Sequence, residues 1–452
     1  GSAQLDQNSI ASSRELLNCF VSFYSNASYT YDDKYVLSGS IRWDRSNLWG
    51  TNSKYQNKPL WSVGGSWNIY KEKFFQADFV DMLKLRASYG IGGNIGRNTA
   101  PYLIASYYDS SLVDGMAGSV NTPPNKDIRW EKTTTVNVGV DFALFRHRLS
   151  GTIEYYNKYS VDLLAAINGS PTQGFGYTTL MTNNGKMVNR GVEITLSGEI
   201  IRQKDFSWNA SLLYAFNRNK VKHISVQPSL WDSRISMPTS YPMVGKPLYG
   251  IYAYKWAGLN ENGDPQVYDA ENNVTSGPAR DYHALVYCGT TVPIHNASLT
   301  NVLRYKGFEF SAMLILDAGH KLRSSNIPSI NMSNGRITST AKGIVDRWTQ
   351  PGDVTDVPRL LFSNDTENFN THRTELYRYS DLFVYDASNI RLSNISLAYR
   401  VPAHWCKKIS LSGARLQFNV ENVATFAFDS KANYDLGGKV KPNYVWGLYL
   451  NF

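Results

Sequence analysis

The stretch NYVWGLYLNF, Asn443–Phe452, decides how this chain is read. Trp446, Leu448, Leu450 and Phe452 occupy every second position, with Gly447, Tyr449 and Asn451 between them. A period of two places alternate side chains on opposite sides of an extended backbone, so this is a strand with one apolar face. An edge strand of a soluble protein carries the same pattern. The weight therefore lies in its recurrence.

The alternation returns along the whole sequence. In Thr133–Leu144, Val136, Val138, Val140, Phe142 and Leu144 share one face, and Asn137, Gly139 and Asp141 the other. In Leu411–Val420, Ala414, Leu416, Phe418 and Val420 stand opposite Arg415, Gln417, Asn419 and Glu421. Further strands are expected at Ser22–Tyr31, Tyr35–Trp43, Trp61–Ile69, Leu83–Tyr89, Leu149–Tyr159, Val188–Ile200, Phe206–Asn217, Ala297–Tyr305, Phe308–Leu316 and Asn389–Val401. In the last of these the apolar phase slips at Ser393-Asn394, as a β-bulge requires.

About thirteen strands result, each near the ~9–11 residues that cross a bilayer at a tilt. Short connections such as Asp32–Lys34, Arg146–Arg148, Arg202–Asp205 and Lys306-Gly307 alternate with long ones at about 90–131, 218–295 and 317–388. Short turns on one side and long loops on the other suit a transmembrane antiparallel β-barrel, with polar faces lining a lumen. Arg391, Arg415 and Glu421 are expected to face that lumen. No stretch approaches the ~18 apolar residues of a membrane-crossing helix. The mean hydropathy of −0.35 fits strands that alternate apolar-out and polar-in. The 30 Tyr, 11 Trp and 19 Phe suit interfacial girdles, although a carbohydrate-binding β-sandwich is also rich in them. Barrels made from one bacterial chain have an even strand number. Residues 1–452 are therefore expected to form one domain, the carboxy-terminal part of a larger barrel.

The ordered blocks give the chain a family resemblance. YVLSGSIRWDRSNLWG (Tyr35–Gly50), PLWSVGGSWNIYKEKFF (Pro59–Phe75) and LKLRASYGIGGN (Leu83–Asn94) resemble SusC/RagA-type TonB-dependent transporters of Bacteroidetes-like bacteria. So do NKDIRWEKTTTVNVGVDFALF (Asn125–Phe145), VNRGVEITL (Val188–Leu196), RWTQPGDVTDVPR (Arg347–Arg359), NIRLSNISLAYRVP (Asn389–Pro402) and the final GLYLNF. Arg45 and Leu48-Trp49 depart from the Gly and Phe more usual in the family. The resemblance implies a barrel of about twenty-two strands, whose plug domain and TonB-contacting segment are not in this sequence. It implies import of oligosaccharides or oligopeptides across the bacterial outer membrane, with a SusD-like surface lipoprotein as lid and TonB as the source of work. A passive porin or barrel adhesin is the alternative, and a soluble β-rich binding module the third reading.

Other chemistry has little footing in the residues. The net charge of +9 is scattered, with no basic stripe interleaved with aromatics, so nucleic acid is not an expected partner. Cys19, Cys288 and Cys406 show no metal-ligand spacing and allow at most one disulfide. No HExxH, GxSxG or phosphate-loop motif occurs, and the seven His are dispersed. Neither catalysis nor a cofactor or metal is expected. Asn260–Asp264 is oxygen-rich, but a glycine turn accounts for it better than a Ca²⁺ site. Trp49, Tyr107, Tyr108, Trp231 and Tyr241 are the candidate ligand-binding aromatics of the long loops, able to stack on sugar rings or peptide side chains.

Overall fold

The computed structural model describes residues 19–47, 52, 59–94, 96, 101–110, 115–169, 172, 179–228, 233–277, 281–332, 340–362, 371–437 and 441–452. Thirteen strands form one sheet, with every strand hydrogen-bonded to its neighbours in sequence order. They are β1 (Phe20–Tyr31), β2 (Tyr35–Ser46), β3 (Leu60–Asn68), β4 (Val80–Asn94), β5 (Glu131–Leu144) and β6 (Leu149–Asn168). The rest are β7 (Thr179–Arg202), β8 (Phe206–His223), β9 (His295–Tyr305), β10 (Phe308–Ala318), β11 (Asn389–Arg400), β12 (Gly413–Ala427) and β13 (Asn443–Asn451). Every pairing in this sheet is antiparallel.

Register carries one apolar face across the whole sheet. Leu37 pairs with Gly65, Gly65 with Ala87, Ala87 with Val138, Val138 with Tyr155 and Tyr155 with Val192. Farther along, Leu212 pairs with Leu196 and Leu299, Leu299 with Leu314, and Leu397 with Phe418, which meets Trp446. Aromatic contacts band both ends of this face. Tyr35 stacks on Trp67 at 6.3 Å and Phe308 lies 4.5 Å from Tyr399 at the short-turn end. Phe23 stacks on Trp43 at 5.7 Å and Trp61 meets Tyr89 at 5.6 Å at the other end. Such girdles suit the two membrane interfaces.

The opposite face is polar. Ser40 and Ser62 hydroxyls meet at 2.7 Å, and Arg86 binds Asp141 through Nε at 2.7 Å and Nη2 at 2.8 Å. Arg391, Arg415 and Glu421 lie on this face, as their register positions require. The slip at Ser393 is real: Leu392 pairs with Leu314 and Asn394 with Met313, leaving Ser393 unpaired.

Two strands outrun their sequence signal. β6 has 20 residues and β7 has 24, where alternation marked only Leu149–Tyr159 and Val188–Ile200. Beyond Tyr159 the hairpin rises clear of the apolar band, both faces are wetted, and the period of two fades while the backbone ladder persists. A register shift between Ser160 and Leu163 marks the change, with Asp162 at φ 57°. No helix of the described residues is long and apolar enough to cross a membrane. Crossing belongs to the strands.

The two faces predict opposite responses to charge. Leu212→Arg, at mid-height of the apolar face, should destabilise the folded barrel by about 2–4 kcal/mol. Ser211→Arg, one residue away on the polar face, should leave it within experimental error. Urea titration followed by heat-modifiable gel mobility distinguishes the two.

Candidate functional site

The described short connections lie at one end of the sheet, and the long segments at the other. There, the described residues within 224–294 and 319–388 include small sheets: Gly250–Tyr254 with Leu285–Thr290, Trp256–Leu259 with Pro265–Tyr268, and Lys321–Arg323 with Val384–Asp386. The apolar interior of the molecule sits here rather than in the barrel. Tyr252, Tyr254, Val267, Leu285 and Leu376 form one buried cluster; Ile330, Tyr377 and Phe383 form a second. These loops form a packed platform.

One polar junction ties the platform together. Asp264 accepts from Arg359 Nε at 3.0 Å and Nη2 at 2.8 Å, and from Arg373 Nε at 2.6 Å. Arg373, on helix α1 (Thr371–Arg378), is only 3% exposed and also donates to Asn331 Oδ1 at 2.6 Å and the Arg359 carbonyl at 2.8 Å. Asn260 Oδ1 accepts the backbone N–H groups of Asn262 and Asp264, each at 2.9 Å. Gly263 closes that turn at φ +73°, and a Cβ there would run into the Trp348 ring. The NENGD segment is thus a turn whose aspartate is committed to two arginines. Among the described residues, no three His, Cys, Asp or Glu side chains converge as metal ligands.

The sequence did not disclose this junction, because its partners lie about a hundred residues apart. The signal available was the composition of Arg347–Arg359 within a long loop: a polar loop rich in Arg and Asp needs partners if it is buried.

Further polar contacts brace the outer rim, and one of them, Asn219 with Leu248, joins platform to barrel. Arg129 binds Asp162 Oδ1 at 2.7 Å, and Asn183 donates to the carbonyls of Arg129 at 2.8 Å and Asp162 at 2.7 Å. Asn219 Oδ1 accepts from Leu248 N at 2.7 Å. Lys321 Nζ lies 3.0 Å from Asp386 Oδ2 beside the root of β11. Burial raises the Asp386 pKa, but hydrogen bonds from Ser388 and Lys321 outweigh it and hold the carboxyl at about 2. Burial pushes the Cys288 thiol up to about 11, so it stays protonated at neutral pH. Cys19, Cys288 and Cys406 are all free.

The candidate aromatics that are described stand on separate elements. Tyr107 and Tyr108 stand on a hairpin, Ile104–Ser110 with Gly115–Thr122, and are 72% and 53% exposed. Tyr241 is half-buried in the turn after Ser233–Ser236, and its carbonyl accepts from Arg234 Nε at 3.4 Å. The Arg234 guanidinium lies over the Tyr282 ring at 4.9 Å. Trp49 and Trp231 lie outside the described residues.

The family model described as TonB dependent receptor-like, beta-barrel, matches residues 3–423. This chain belongs to that family. TonB-dependent receptor P3 of Formosa agariphila is 27% identical over 456 residues, covering 95% of this chain and 43% of that protein. TonB-dependent receptor SusC of Bacteroides thetaiotaomicron is 25% identical over 427 residues, covering 90% of this chain and 40% of that protein. The solved structure of the RagAB peptide transporter superposes with a TM-score of 0.78 at 23% identity, covering 96% of this chain and 48% of that chain. The chain therefore spans less than half the length of the curated relatives it matches. It is a TonB-dependent receptor barrel of the bacterial outer membrane, with the SusC/RagA resemblance upheld.

Two outcomes follow for the platform. Asp264→Ala leaves Arg373 buried without its carboxylate and should loosen the platform segments within 224–294 and 319–388 by about 3–5 kcal/mol, read as faster proteolysis there with the barrel intact. The Asp386 pKa lies below the ordinary carboxylate value of ~3.9. Its contribution to stability is thus complete above about pH 4 and lost as pH falls toward 2, where Asp386→Asn should abolish the dependence; acid-pulse hydrogen exchange at residues 319–388 measures both.

Proposed function

We propose that this chain is the carboxy-terminal barrel wall of a TonB-dependent importer for oligosaccharides or oligopeptides, working with a SusD-like surface lipoprotein. The observation that carries the reading is the platform. Loops serving a passive pore need only clear its mouth, whereas residues 224–294 and 319–388 build their own buried cores above a polar wall. A rigid, packed rim suits a lid that closes against it, and the exposed Tyr107–Tyr108 hairpin suits capture of a ligand with flat apolar faces.

The sheet edges complete the reading. β1 pairs only with β2 and β13 only with β12 among the described residues, and all twelve residues of β1 are exposed. Hydrocarbon cannot satisfy an unpaired backbone edge. In the membrane these two strands require partners, and the early strands of a barrel of about twenty-two, with a plug inside it, would supply them.

Loss of the gene should abolish growth on one class of oligomer, glycan or peptide, as sole carbon source, and loss of TonB should do the same. Uptake of the labelled oligomer that continues without TonB would instead make this a passive pore. Replacing Tyr107 and Tyr108 by Ala should weaken capture roughly fivefold, as about 1 kcal/mol of lost ring contact requires, with barrel folding unchanged. Equilibrium binding of the labelled oligomer to the purified protein checks it.

A further inference from the structure

The apolar face changes character at the outer rim of β7 and β8. On β8 the outward positions run Trp208, Ala210, Leu212, Tyr214, Phe216, then Arg218 and Lys220. At ~3.3 Å per residue and a tilt near ~40°, Trp208 to Arg218 climbs roughly 25 Å, the height of an outer-membrane apolar band. Arg218 and Lys220 therefore stand at headgroup level in the outer leaflet. Tyr214 and Phe216, just below, flank His295, with the Tyr214 hydroxyl 2.9 Å from its Nδ1.

Arg218 is the direct cross-strand partner of Arg190. Arg190 is itself an outward position, donating to Asn157 Oδ1 at 2.9 Å. Two arginines directly opposite one another repel unless an anion lies between them. On the Arg218 side of this pair is a cavity of about 580 Å³, lined by Arg218, Lys220, Lys246, Tyr249, Tyr287 and His295 among others, with no carboxylate in its wall. Lys246 Nζ sits 4.7 Å from the centre of the Tyr287 ring, which holds its ammonium beside the recess. None of these four cations forms an ion pair among the described residues.

We propose that Arg190, Arg218, Lys220 and Lys246 form a binding site for the phosphate of an outer-leaflet lipid headgroup, with the lipid chains lying against Tyr214 and Phe216. Guanidinium pairs match phosphate oxygens through bidentate hydrogen bonds, and two of them opposite each other grip one anion from both sides. The aromatic girdle below supplies the apolar continuation that a free phosphate ion would not use. The inference rests on the outer-membrane location alone and is independent of what is imported.

The test begins with the protein extracted from outer membranes in mild detergent, washed and weighed by native mass spectrometry. Wild type should retain phosphorylated lipid. The triple variant R190Q/R218Q/K220Q should retain at least tenfold less while keeping heat-modifiable gel mobility, and Lys158→Gln, on the inward face, should retain it fully. Delipidated wild type is then titrated with phosphorylated lipid A, phosphatase-treated lipid A and inorganic phosphate. Binding of the first alone is the expected result. Equal binding of the dephosphorylated lipid, equal displacement by inorganic phosphate, or undiminished lipid on the triple variant would overturn the proposal. Should the triple variant fail to fold, Arg218→Lys and Arg218→Gln replace it: the site requires lysine to retain lipid and glutamine to lose it, and equal retention by both overturns it.

Discussion

Hydrocarbon offers no hydrogen-bond partner, and the structure depends on that absence. Every backbone N–H and C=O inside the membrane must find its partner on an adjacent strand. The result is thirteen strands, each paired with its neighbours in sequence order. Pairing in turn locks register. A slip of one residue would turn Leu212 toward the lumen and Ser211 toward lipid, so the apolar face that runs from Leu37 to Trp446 keeps the whole sheet in phase. The bulge at Ser393 is consistent with this: it absorbs an extra residue so that Ile390 and Leu392 on one side of it and Ile395 and Leu397 on the other stay outward.

The same constraint moves the apolar interior out of the membrane. A barrel wall is one layer thick, with lipid on one side and a polar lumen on the other, so its strands have no core to share. The fully buried Tyr252, Tyr254, Tyr377, Ile330 and Met332 all lie in the two long outer segments. Those segments therefore behave as a small water-exposed protein built from loops, stabilised by burial in the ordinary way. Their polar junction at Asp264 carries the cost of desolvated charge. Arg359 and Arg373 are held by complementary hydrogen bonds, and this fixes which loop faces which.

This division explains what could be read from the sequence. Inside the membrane one rule governs every residue, so the alternation in Val136–Leu144 and Ala414–Val420 declared strands, faces and the lumen positions of Arg391, Arg415 and Glu421. Above the membrane that rule lapses. Leu163–Asn168 and Thr179–Met187 remain paired, yet Leu164, Ala165 and Ala166 show no alternation because neither face meets lipid. The platform was legible only as long loops. Its cores join Tyr254 to Leu376, and its junction joins Asp264 to Arg373, contacts between residues too distant in sequence for any local pattern to record.

Charge is handled differently on the two sides of the wall. On the inward face, cations meet carboxylates across the ladder. Arg86 joins Asp141 and Glu154, and Glu309 joins Arg304 at 2.8 Å and Arg415 at 3.1 Å. On the outward face at the rim of β7 and β8, Arg190 and Arg218 face each other and no carboxylate of the described residues pairs with them. A chain with +9 overall could have placed an acid there, as it did repeatedly on the other side of the same strands. Leaving those cations unanswered costs nothing if the surroundings provide the anion, and at that height the surroundings are the headgroups of the outer leaflet.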